Sequence, residues 1–187
     1  MYESSELDWF GRTARTAVLK DEMKLSERTG EVAGIVVTVL TVFFFVAHQV
    51  WNTGFFTAGF GPFETVLFYA SISFGIVTGT ARAVLGKRNK IRPLDVSGYI
   101  LAALFCFWFF TVFPFDFTRF GDVVPLLLGF LISWIPGLLV KVLLFIGGVG
   151  AVAGAVYVTA LYFRVRSLIM NKSMYRERKL MRTPFHH

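Results

Sequence analysis

Five ionisable side chains, Glu64, Asp116, Arg119, Asp122 and Lys141, stand out in a chain whose long segments are otherwise almost free of charge. Gathered at one face of a membrane, carboxylates beside a guanidinium and an ammonium could bind a cation or relay a proton at the mouth of a pathway. Each residue also has a purely structural account. Glu64 follows Pro62 in the first turn of a helix, where a carboxylate meets the positive end of the dipole. Asp122 is placed to N-cap a short helix, with Pro125 tolerated in its first turn. Arg119 lies at helical distance from both Asp116 and Asp122 and can pair with either, and Lys141 is near enough to an interface to snorkel.

The elements that must position these groups are membrane helices. Of 187 residues, 55% are hydrophobic, and several long runs carry no charge, which places the chain among all-α integral membrane proteins. The spans fall at about 33–51, 63–85, 96–115 and 138–163; the first, about 19 residues or ~28 Å as a helix, matches a hydrocarbon core of ~30 Å. Residues 123–135, about 13 residues and ~20 Å, are too short to cross. They are expected as a re-entrant or interfacial helix on the outer side, ended by Pro136 and Gly137. The expected architecture is therefore a polytopic bundle of four transmembrane helices over 31–163. It is preceded by an amphipathic segment, 1–30, and followed by a basic tail, 164–187.

Orientation follows from the basic residues that produce the net charge of +7. Lys87, Arg88, Lys90 and Arg92 occupy a short stretch, Gly86 to Asp95, and Arg164, Arg166 and Lys172 open the tail. The positive-inside rule puts both clusters, and both termini, on the cytoplasmic side of a plasma membrane. A five-span alternative would leave the tail outside, against that rule. Pro93 and Asp95 read as loop terminator and N-cap of the third span, and Arg82 as a snorkelling residue. These basic residues are also candidates for contact with anionic headgroups; clusters so divided between loops give no reason to expect nucleic acid. In the N-terminal segment Leu7, Phe10, Ala14 and Val18 form an apolar stripe that suits a lipid surface, a soluble partner or the protein's own cytoplasmic part.

Small residues mark two packing faces: Ser71, Gly75 and Gly79 on the second span, and Gly147, Gly150 and Gly154 on the last. These two faces are expected to meet, within one chain or between copies, as a homo-oligomer or in a larger complex. The phenylalanines of the third span fit a lipid face or a bundle core. His48 could ligate haem or metal, but the other histidines, His186 and His187, fall on the opposite side, so no cofactor is expected. Cys106 reads as a buried, inert thiol. No phosphate loop, zinc-ligand cluster, nucleophile elbow or dinucleotide fingerprint occurs. The sequence therefore points away from an enzyme and toward a structural, assembly or accessory subunit of a membrane complex. The alternative is a small oligomeric channel or transporter that uses the charged hairpin 116–141.

Overall fold

A computed structural model describes residues 9–124 and 135–182, with side chains through residue 171. Five α-helices appear among these residues: α1 Trp9–Leu19, α2 Leu25–Val50, α3 Pro62–Leu85, α4 Arg88–Val112 and α5 Gly137–Arg182. Four of them, α2 to α5, are long and apolar enough to cross a membrane. A single 3₁₀ turn, Phe117–Arg119, lies in the segment after α4. The expected short helix at 123–135 falls almost wholly outside the described residues.

Helix ends explain where the spans differ from the hydropathy reading. The helix of the expected first span, α2, begins at Leu25, well before residue 33, because the Lys24 N–H donates to Glu27 Oε2 (2.9 Å) and a charged first turn then runs without interruption into the apolar run. Glu64 does the same for α3, accepting the Gly61 N–H at 3.1 Å. Gly86 closes α3 with φ +58, and a Cβ there would collide with the Arg28 guanidinium. Only Gly86 and Lys87 separate α3 from α4, so the expected loop from Gly86 to Asp95 is mostly helix. Pro93 lies within the second turn of α4 and costs one backbone hydrogen bond without ending the helix. Asp95 is thus an interior residue of α4 and not its N-cap.

The four long helices form a row in which each packs on the next: α2 on α3, α3 on α4, α4 on α5. The two small-residue faces do not meet within the chain, because α4 stands between α3 and α5. Each instead admits larger side chains from its neighbour. Gly75 lies against Thr38 and Gly79 against Ile35 of α2; Gly147 lies against Cys106, Gly148 against Phe107 and Gly154 against Tyr99 of α4. Gly154 is the tightest: a Cβ there would come within 2.7 Å of the Tyr99 ring. Gly150 has open space before it, and Ser71 Oγ is buried without a hydrogen-bond partner among the described residues.

The apolar stripe of the N-terminal helix packs on α5. Ala14 is fully buried against Leu161 and Val165 of α5, with Phe10, Ala17, Val18 and Leu168 around them. Trp9 stacks on Tyr157. The linker after α1 is fastened to the start of α4: the Arg88 N–H donates to the Asp21 carbonyl and the Asn89 N–H to Asp21 Oδ1, while the Met23 N–H donates to the Gly86 carbonyl.

Candidate functional site

The row has two unlike ends. At one lie the C-termini of α2 and α4 and the N-termini of α3 and α5. Here the connection after α2 pairs with the segment after α4: the Asp116 N–H donates to the Phe55 carbonyl and the Thr57 N–H to the Pro114 carbonyl. This pairing gathers a phenylalanine cluster around Phe55, which is 1% exposed and in ring contact with Phe45, Phe56, Phe115, Phe117 and Phe120. His48 is the polar residue inside this cluster. It is 1% exposed, its Nδ1 shares a 2.6 Å hydrogen bond with Thr53 Oγ1, and its Nε2 is buried without a hydrogen-bond partner among the described residues.

All five of the sequence-derived charged residues belong to this end, and they separate into individual roles. Glu64 Oε1 accepts the Trp108 indole N–H at 3.1 Å while its other oxygen caps α3. Asp116 caps the 3₁₀ turn through the Thr118 N–H (3.0 Å) and hydroxyl (2.6 Å), bonds that hold its carboxyl below the usual range. Arg119 pairs with Asp122 at 3.7 Å on an exposed surface. Lys141 places its ammonium over the Phe113 ring, 4.9 Å from the centroid. Only Arg119 and Asp122 are brought together as a pair.

The converging polar groups lie at the opposite end, and sequence reasoning assigned them elsewhere. Arg82, near the end of α3, does not snorkel outward. Its Nη1 donates to Glu31 of α2 at 3.3 Å and its Nη2 to Asp95 of α4. The three side chains are 34%, 24% and 18% exposed, so one guanidinium ties three helices together in a half-buried setting. Beside it Arg88 pairs with Glu27. These five residues and Arg92 line a cavity of about 600 Å³ that also touches Val158 of α5. Three carboxylates and three guanidiniums make the lining balanced in charge. A fork-shaped donor between two carboxylates suits fixed bridging, since each oxygen left over can accept a further donor such as water.

The sequence held a signal for this network. Glu31 and Asp95 sit within two turns of the N-termini of α2 and α4, and Arg82 within one turn of the C-terminus of α3, so all three fall at the same end of the row, about 5 to 10 Å deep at 1.5 Å per residue. Opposite charges at matching depth on neighbouring helices are natural partners. Among the described residues no group of three His, Cys, Asp or Glu side chains converges as a metal site. Of the proposed lipid-contacting residues, Lys87, Lys90, Arg164 and Arg166 are exposed, Arg88 and Arg92 are partly engaged with Glu27 and Asn89, and the Lys172 side chain lies outside those described. Fold and site together define an all-helical chain with four membrane-length helices and an ion-paired end. Comparison with family models, with curated proteins and with solved structures finds no match for it.

Proposed function

We propose that the protein is a non-enzymatic accessory or assembly subunit, inserted in the plasma membrane with its ion-paired, basic end and both termini in the cytoplasm. The observation that carries this reading is the length of α5. At 46 residues it measures ~69 Å, more than twice a ~30 Å hydrocarbon core, and α1 is packed along it where the apolar stretch gives way to arginines. A span prolonged without a break into a stiff cytoplasmic arm, braced by a second helix, offers a partner protein a surface fixed to the bundle. Anionic headgroups would surround its base, drawn by Lys87, Lys90, Arg164 and Arg166.

Two measurements test this. Single cysteines at Ser26 and Thr57 should label from opposite sides of intact cells, with Ser26 reached only after permeabilisation; the reverse result removes the orientation. A photocrosslinking residue at exposed Ile169 should give a discrete protein adduct in native membranes, whereas the same probe at Val149, on the free face of α5, should give lipid adducts alone. Lipid adducts alone from both positions would overturn the accessory-subunit reading.

A further inference from the structure

We infer that the groove between α1 and the start of α4 is a binding site for a phosphate group, presented by a lipid headgroup or by a soluble phosphate. This rests on the reading that places the basic end at a membrane surface, and narrows it from diffuse attraction to one site. The groove encloses about 490 Å³ and is lined by Arg12 of α1, Lys20 just past its end, Arg88 and Arg92 of α4, the Trp9 ring and the hydroxyl-bearing face of α1. Among the described residues no carboxylate lines it.

The charge in this groove is largely unspent. Arg12 and Lys20 form no ion pair or hydrogen bond among the described residues. Arg92 uses Nε on Asn89 Oδ1 (2.8 Å) and keeps both terminal nitrogens, while Arg88 is held by Glu27. Two further carboxylates near Arg92 are engaged elsewhere: Asp21 accepts the Asn89 N–H and Asp95 is held by Arg82. Thr13 and Thr16 donate their hydroxyl protons to the carbonyls of Trp9 and Arg12, so an anion in the groove would take its hydrogen bonds from guanidinium and ammonium groups. Asn89 Nδ2 donates to the Ala17 carbonyl (2.9 Å), which fastens α1 across α4 and so fixes the backbones that carry the four cations. Trp9 stacked on Tyr157 sets the depth: paired aromatic rings of this kind belong at the headgroup level. Four converging cations, of which only Arg88 is ion-paired among the described residues, beside an interfacial tryptophan, form a receptor for a phosphate mono- or diester.

The full-length protein in mild detergent would be offered phosphatidylglycerol or phosphatidylcholine and examined by native mass spectrometry, with thermal unfolding followed in inorganic phosphate as a parallel arm. Wild type should retain phosphatidylglycerol over phosphatidylcholine. Arg12→Gln with Lys20→Gln, two exposed positions whose loss leaves the fold intact, should reduce that retention roughly tenfold, on the scale of a factor of several per lost cation. Lys87→Gln with Lys90→Gln, which removes the same charge outside the groove, should change it less than twofold. If phosphate raises the unfolding temperature of wild type but not of the Arg12 and Lys20 variant, the source is a soluble phosphate; if only the lipid discriminates, it is the headgroup. Equal losses in the two double variants, or neither ligand distinguishing wild type from the groove variant, would overturn the site. Cysteine labelling reports the orientation separately, so failure of that reading is told apart from failure of this one.

Discussion

The two ends of the helix row are held by different physics. At the aromatic end, flat rings meet edge to face and tilted across a reversed pair of connections, so cohesion comes from area and dispersion and is indifferent to salt. At the other end cohesion comes from one guanidinium between two carboxylates and a second ion pair beside it, in a cavity open enough to take water. A chain of this size closes one mouth with side chains that cannot exchange partners and the other with groups that can.

Removing the centre of the aromatic end should have the largest effect. Phe55→Ala deletes a nearly inaccessible ring and is expected to cost about 3 kcal/mol, read as a lower midpoint in detergent unfolding at any ionic strength. A loss below about 1 kcal/mol would show that the rings collapse onto the gap and that the cluster is not a packed unit. Next in size is Arg82→Ala, which strands Glu31 and Asp95. Because the groups are a fifth to a third exposed, about 2 kcal/mol is expected, less than for a fully buried pair. The gap between wild type and variant should shrink as salt rises, and Arg82→Lys should restore only part of it, since an ammonium lacks the fork. A salt-independent gap would erase the distinction between the ends.

The smallest effect concerns Asp116, whose carboxylate caps the 3₁₀ turn at the aromatic end. Asp116 is below its ordinary value because Thr118 bonds favour the charged form. A lowered folded value means that its contribution is complete above the unfolded carboxylate range and is lost as pH falls through the lowered value. Asp116→Asn should therefore be slightly less stable than wild type at neutral pH. That difference should begin to close near pH ~4 and vanish only below the lowered value. A difference that widens on acidification would contradict the capping role.

Much of the architecture could be read from the chain because hydropathy and length report on a membrane-sized helix without knowledge of its neighbours. The amphipathic stripe through Phe10, Ala14 and Val18 likewise announced a buried face, though not what would bury it. Pairing was harder. Gly75 and Gly154 look like mutual partners in sequence, yet a small residue is an invitation to any close neighbour, and the order of helices in the row decides which one accepts. Arg82 and Asp95 read as a snorkelling residue and a cap because local rules see only their own helix. Pro93 strengthened the error, since a proline read as a terminator was in fact absorbed early in α4. The outer charges carried the opposite risk: type and spacing promised a cluster, and local caps and a ring contact accounted for nearly all of them.

A row of helices has two borders, whereas a closed ring has none. Among the described residues α2 and α5 each pack closely on one neighbour of the long helices, and Gly34 on one and Gly150 on the other meet nothing within 4 Å. Another helix could be added at either border without disturbing any contact already made, much as a strand adds to an open sheet, and the row would simply become longer.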